Sequence, residues 1–219
     1  MLVEVFSDVV CPWCFLGKRR MESAFAQRRD VPFEVLWRPF ELNPGIPASG
    51  VDRTVHLVEK FGGREALGAA ERRLEQLGRE IGIEFLFDRI ERVPNTRAAH
   101  RLVAAGTDPA MRSLIAEHVF SAYFERGQDV GDPEVLTAIA ARCGLDAGSV
   151  RSMLGSREGF DEIARQERAG MELGVSGVPT FVFDRRYLLS GAQPVHVLLE
   201  LIDHLLTPQA ARAPVKAAR

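Results

Sequence analysis

The sequence predicts an α/β protein in which a strand, helix, strand unit at the start and a hairpin with a following helix at the end enclose a large helical insertion. Three observations carry this expectation. Short β-prone runs, Leu2 to Ser7 and Phe33 to Arg38, flank a stretch with helical spacing. From about Asp52 to Gly174 the apolar pattern is helical throughout. Two further β-prone runs, Thr180 to Phe183 and Tyr187 to Ser190, are separated only by Asp184-Arg185-Arg186 and read as an antiparallel hairpin.

In the first helix Cys14, Gly17, Met21, Ala24 and Phe25 fall on one face, and Lys18, Arg19, Arg20 and Arg28 are expected mainly outward. The connection is long enough for a crossover between parallel strands. The turn-rich segment Asn43-Pro44-Gly45-Ile46-Pro47-Ala48-Ser49-Gly50 marks a boundary. The expected organisation is therefore a discontinuous unit of residues 1–44 and 175–206, with residues 45–174 as the helical insertion. Within the insertion, Asp108-Pro109 and Asp132-Pro133 are helix starts, because Asp caps and Pro suits the first turn. Met111, Leu114, Ile115, Val119 and Ala122 form one apolar face, and Leu136, Ile139, Ala140 and Cys143 another. A final helix is expected from about Pro194 to Leu206, and residues 207–219, rich in Ala, Pro and basic residues, read as a frayed, flexible tail.

A chain of 219 residues with 46% hydrophobic and 26% charged residues has material for a sizeable core. A net charge of -2 gives no reason to expect nucleic acid, which demands a concentrated basic surface. The pairs Arg19-Arg20, Arg28-Arg29, Arg72-Arg73 and Arg185-Arg186 are scattered and read as solvated surface. The start Met1-Leu2-Val3-Glu4-Val5-Phe6 has no basic or long apolar leader, and Glu200 and Asp203 interrupt the longest late apolar run. The expectation is a cytoplasmic protein with no membrane partner. In that compartment ordinary thiols stay reduced, so the close pair Cys11 and Cys14 needs an explanation other than a structural disulfide.

Two thiols separated by two residues at a helix start can interconvert between dithiol and disulfide with little backbone movement. Cys11 would sit at the helix N-terminus, where unpaired N–H groups and the helix dipole favour thiolate, which makes it the expected nucleophile. Cys14, on the inward face, is the expected resolving thiol. Pro12 suits the first turn, and Trp13 offers a flat apolar surface beside the sulfur. A zinc site is disfavoured, since there is no second cysteine pair and His56, His100, His118, His196 and His204 show no ligand spacing. The second signal is Gly174-Val175-Ser176-Gly177-Val178-Pro179-Thr180-Phe181, where Pro179 precedes a strand. On its own this would be an ordinary trans loop; combined with Cys11 and Cys14, a cis Val178-Pro179 peptide is expected, freeing backbone groups for an extended substrate.

The order of these elements resembles the DsbA-like thioredoxin-fold family, in particular its cytosolic FrnE-like branch. The resemblance runs nearly end to end: Ser7-Asp8-Val9-Val10-Cys11-Pro12-Trp13-Cys14, Gly17-Lys18, Pro39-Phe40-Glu41-Leu42-Asn43-Pro44, Asn95-Thr96 with Ala99-His100, Ala122-Tyr123-Phe124, and Ser190-Gly191-Ala192-Gln193. It implies a thioredoxin-like fold and disulfide exchange at Cys11 and Cys14, with Pro179 as a cis-proline facing them. Pro12, Trp13, Val178 and Pro179 are then the expected substrate-binding residues. No bound metal or cofactor is implied; glutathione is a candidate co-substrate, and the partners are a disulfide-containing protein or small molecule and an external thiol reductant. Two departures stand out. The periplasmic DsbA enzymes have His where this chain has Trp13, and many thioredoxin-like enzymes carry a buried acid where this chain has Val5. The proton acceptor for Cys14 is therefore open among Glu4, Asp8, Glu41 and water.

Two other functions share these features. Glutathione-dependent 2-hydroxychromene-2-carboxylate isomerases and kappa-class glutathione transferases have the same architecture, but usually place Ser at the position of Cys11. A peptide-binding, chaperone-like module would use the groove between Trp13 and Pro179 without redox chemistry. Cys143 reads as a packing residue just before a helix stop at Gly144, and His100 as structural.

Overall fold

The computed structural model describes residues 1–207 and the backbone of Lys216–Ala218. β1 (Leu2–Ser7) leads through α1 (Pro12–Ala26) to β2 (Glu34–Pro39). β1 and β2 are parallel, with Leu2 opposite Glu34 and Ser7 opposite Pro39, so α1 is the crossover such a pair requires. Phe25 and Phe33 stack with centroids 3.8 Å apart and close the passage from helix to strand.

The insertion then runs through β3 (Val51–Asp52), α2 (Arg53–Phe61), α3 (Arg64–Glu80), a 3-10 turn (Phe87–Arg89), β4 (Arg92–Val93), α4 (Arg97–Ala104), α5 (Pro109–Phe124), α6 (Pro133–Arg142), α7 (Ala147–Leu154) and α8 (Phe160–Glu172). Asp108 and Asp132 cap α5 and α6 as expected, accepting from the N–H groups of Met111 and Glu134 at 2.8 Å. The chain leaves α6 through Gly144, whose φ of +84° suits a residue without Cβ, while the Leu145 N–H returns to the Ala140 carbonyl at 3.0 Å. The insertion is not wholly helical, because β3 and β4 pair antiparallel with Val51 opposite Val93. Two-residue strands are too short to show an alternation in sequence.

β5 (Thr180–Phe183), β6 (Tyr187–Ser190) and α9 (Val195–Leu205) complete the described side-chain structure. β5 returns antiparallel to β1, with Val3 opposite Phe183, and β6 pairs with β5, with Thr180 opposite Ser190. In the hairpin turn Asp184 and Arg185 both have positive φ, the pattern of a type I′ turn. Asp184 ties this turn to the chain start, its carboxylate accepting from the Leu2 N–H at 2.7 Å and its own N–H reaching the Leu2 carbonyl at 2.8 Å. The sheet order is β2, β1, β5, β6 and then β7 (Lys216–Ala218). Of residues 207–219, expected as a flexible tail, Lys216–Ala218 pair in parallel with β6, Lys216 opposite Tyr187. An open sheet edge offers backbone partners to a segment with no apolar period of its own. Residues 208–215 and 219 lie outside the described residues.

The core is shared between sheet and insertion. Val3, Val5, Phe15, Phe120, Phe124 and Phe181 belong to one buried cluster. Phe15 of α1 stacks on Phe120 of α5 at 5.2 Å and meets Phe85 edge-on at 6.1 Å. This packing corrects two expectations. Lys18 does not face outward: it is 3% exposed, with its ammonium 2.5 Å from Glu22 and 2.6 Å from Glu117 of α5. A helical wheel assigns one buried face, whereas the insertion covers a second. Leu114, assigned to the apolar face of α5, is instead 46% exposed. Among the described residues no helix is long and apolar enough to cross a membrane.

Candidate active site

The strand-to-helix junction places both thiols. Cys11 is the N-cap of α1, in extended backbone conformation, and Pro12 occupies the first turn. The Cys11 N–H donates to the Asp8 carbonyl at 3.0 Å, and the Cys11 carbonyl accepts from the Cys14 N–H at 3.0 Å. Both cysteines are free thiols and both are buried, Cys11 at 4% exposure and Cys14 at 1%. Cys14, three residues further along α1, is the more deeply buried of the two. Burial above all, and then the neighbouring Cys11, push the Cys14 thiol well above the ordinary range, against the opposing pull of Ser7 and Asp8.

The Val178-Pro179 peptide is cis. The Val178 carbonyl stands 3.8 Å from Cys11 Sγ, a distance at which the thiol can donate weakly to it. Pro179 packs onto α1 where Gly17 leaves space, since a Cβ on Gly17 would lie 3.0 Å from Pro179 Cγ and 3.2 Å from Phe181 Cζ. Gly17→Val should therefore displace the Pro179 loop from the thiols and cost about 1 to 3 kcal/mol through overpacking. A denaturant titration showing no loss of stability would contradict this tight fit.

A cavity of about 500 Å³ opens beside Cys11 and brings together Cys11, Pro12, Trp13 and Val178. Cys14 and Pro179 are not part of its lining; they lie behind it. Its far walls come from the insertion and were not foreseen in the sequence: Leu57 and Phe61 of α2, Leu67 and Leu74 of α3, Phe87 of the 3-10 turn, and Tyr123. The charged groups there are also new. Arg53 is held by Glu71 at 2.6 Å and lies over the Phe87 ring, while the Lys60 ammonium is 3.3 Å from Asn43 Oδ1. Arg73, read from sequence as solvated surface, lies with its guanidinium 5.8 Å over the Trp13 ring. The chemistry available is a thiol at the edge of an apolar chamber with cations on its wall.

The candidate proton acceptors separate clearly. Glu4 is bound by Arg38 at 2.6 Å and Glu41 by Arg97 at 2.7 Å. Asp8 is fully buried between the thiols and α4, and His100 Nε2 of α4 comes to 3.4 Å from Asp8 Oδ1. The sequence contained His100 in a family-like segment, but nothing in its spacing linked it to Asp8. Cys143 is buried beside α6 in the main apolar cluster, and burial raises its thiol pKa. Among the described residues no cluster of His, Cys, Asp and Glu side chains is arranged to hold a metal ion.

A sheet of this order, with a paired-thiol helix start and a facing X-Pro loop, defines the class as thioredoxin-like proteins with a dithiol at the head of the first helix. More narrowly, the chain belongs to the DSBA-like thioredoxin domain family, whose pattern matches residues 2–203. It is 30% identical over 182 residues to YwbO of Bacillus subtilis, covering 82% of this chain and 85% of that protein. Among solved structures it resembles a probable DsbA oxidoreductase, SCO1869, of Streptomyces coelicolor, with 33% identity, a TM-score of 0.87, and coverage of 99% of this chain and 93% of that one. At 20% identity the cytosolic disulfide reductase DsbM of Pseudomonas aeruginosa, solved with GSH, shares the fold, with a TM-score of 0.66 and coverage of 94% and 100%. A 2-hydroxychromene-2-carboxylate isomerase shares it as well, at 20% identity, a TM-score of 0.72 and coverage of 97% and 100%.

Proposed function

We propose that the protein is a thiol–disulfide oxidoreductase in which Cys11 attacks a substrate disulfide and Cys14 resolves the mixed disulfide. The observation that carries this reading is the Cys11 sulfur at the cap of α1, open to the cavity, with the Cys14 thiol directly behind it. Exchange between these sulfurs needs no resident metal or organic cofactor, only an external thiol to close the cycle. Pro12, Trp13 and Val178, which line the cavity, bind the substrate, with the Val178 carbonyl beside the attacking sulfur and Pro179 holding the loop from behind. Arg73 and Lys60 supply positive charge for the carboxylates of a small thiol such as glutathione, which we assign as co-substrate. Disulfide-bearing proteins or small molecules are the other partners, and the cytoplasm is the compartment in which an unpaired dithiol of this kind persists.

Thiol-dependent reduction of insulin, oxidised glutathione and an aromatic disulfide tests the reading. We expect turnover without added metal, flavin or nicotinamide. Failure with all three substrates from mildly acidic to mildly alkaline pH would sink it. Glutathione-dependent turnover of a chromene carboxylate that survives loss of Cys14 would put the isomerase class in its place.

A further inference from the structure

The chamber beside Cys11 selects by polarity as well as by size. Its volume of about 500 Å³ falls in the range of sites for small molecules. Leu57, Phe61, Leu67, Leu74, Phe87 and Phe124 make much of its wall apolar. Most polar side chains set into that wall are already committed. The Arg53 guanidinium and the Glu71 carboxylate hold each other at 2.6 Å, and the Tyr123 hydroxyl donates to the Arg92 carbonyl at 3.0 Å. Two cations stand apart. Lys60 and Arg73 line the chamber, and among the described residues neither is held by a carboxylate: Lys60 meets the Asn43 amide oxygen at 3.3 Å, and Arg73 lies over the Trp13 ring. The charged lining is therefore Arg53, Lys60 and Arg73 against Glu71 alone, an excess of positive charge on an apolar surface.

We propose that the disulfide substrate is a small organic acid, with an apolar body that packs against this wall and a carboxylate that meets Lys60 and Arg73. This rests on the reading of Cys11 and Cys14 as a redox pair and names the molecule on which that pair acts. An extended polypeptide carries a donor and an acceptor on every residue, and those it buried against Leu57, Leu67 and Phe87 would lose water without gaining partners. An apolar acid has no such groups to satisfy, and its one charge is answered by two cations that lack a carboxylate of their own. In the reaction the Cys11 thiolate attacks one sulfur of the substrate disulfide, the sulfur–sulfur bond breaks, and the first acid leaves as its thiolate. Cys14 then attacks the Cys11 sulfur, its proton passing to solvent, and the second acid leaves as a thiolate. The substrate is reduced to two thiols and the cysteines are oxidised to a disulfide, which the external thiol reduces again. Glutathione presents carboxylates to the same cations, but its two amides find no partner on the apolar wall, so oxidised glutathione should be the poorer disulfide.

The test mixes reduced enzyme in a stopped-flow instrument with 5,5′-dithiobis(2-nitrobenzoate), an aromatic acid disulfide, and with 4,4′-dithiodipyridine, an aromatic disulfide without the carboxylate. Dividing each rate constant by that of the same disulfide with free dithiothreitol removes differences in intrinsic reactivity. So corrected, the wild-type protein should favour the nitrobenzoate by about 10-fold or more, the effect of a charge-assisted contact, and added salt should weaken the preference. Oxidised glutathione and insulin should both fall below the nitrobenzoate. Lys60→Gln combined with Arg73→Gln should abolish the preference; both side chains are exposed, so the double variant is expected to fold. A readout without disulfide chemistry is protection of Cys11 from iodoacetamide, which 2-naphthoate should give and the neutral 2-naphthalenemethanol should not. An unchanged preference in the double variant, equal protection by the acid and the alcohol, or a corrected rate with insulin above that with the nitrobenzoate overturns the proposal. Absence of thiolate release from every disulfide instead defeats the redox reading on which it rests.

Discussion

Cys11→Ser is expected to reduce disulfide exchange on the order of a thousand-fold or more, because a hydroxyl cannot replace the thiolate as attacking group. Cys14→Ser should behave differently. It leaves the first attack intact and halts the cycle at a mixed disulfide on Cys11, which accumulates and is visible by mass spectrometry. The asymmetry follows from position: Cys11 lines the cavity, whereas Cys14 sits behind it with its thiol held protonated by burial and by Cys11. The same shift carries a stability consequence. A thiol whose folded pKa lies above its unfolded value stabilises the fold below the ordinary thiol pKa, about 8.5, and that contribution is lost as pH rises toward the folded value. The dithiol protein should therefore lose stability in alkaline solution faster than Cys14→Ala. Equal alkaline denaturation of the two proteins, or full turnover by Cys11→Ser, would contradict this assignment of the sulfurs.

Phe15→Ala should destabilise the protein by about 3 to 5 kcal/mol, the range for removing a fully buried aromatic ring. Phe15 has no exposed surface, stacks on Phe120 and Phe124, and meets Phe85 edge-on. It lies one residue after Cys14 and packs α1 against α5 and the segment before the 3-10 turn. The loss should therefore appear both as a lowered denaturant midpoint and as greater accessibility of Cys14 to alkylation in the native state. A midpoint shift without increased accessibility would mean that the sheet alone, not the insertion, holds the head of the helix.

The readable parts of this sequence were those with a strong local cause. The strands β5 and β6 lie where Thr180 to Phe183 and Tyr187 to Ser190 were expected, because short β-prone runs separated by three polar residues leave few alternatives. Helices α5 and α6 begin at their Asp-Pro pairs because capping and proline geometry act within one turn. The thiol spacing was equally legible. What escaped was decided at long range. Lys18 is buried because α5 brings Glu117 to it, and Arg73 reaches Trp13 because α3 passes over the head of α1. His100 meets Asp8 only because α4 packs beside the loop after β1, a contact that no periodicity encodes.

Much of the cavity wall comes from a part of the chain that carries none of the thiol chemistry, and under the proposed function this divides reactivity from selectivity. Cys11 and Val178 come from near the two ends of the described chain, whereas Leu57, Phe61, Leu67, Arg73 and Leu74 come from α2 and α3. Exchanging residues 53–80 for the equivalent helix pair of a relative would thus change which molecules reach Cys11 while preserving the spacing of the two thiols. A lineage can drift in substrate range through one helical hairpin without rebuilding its chemistry.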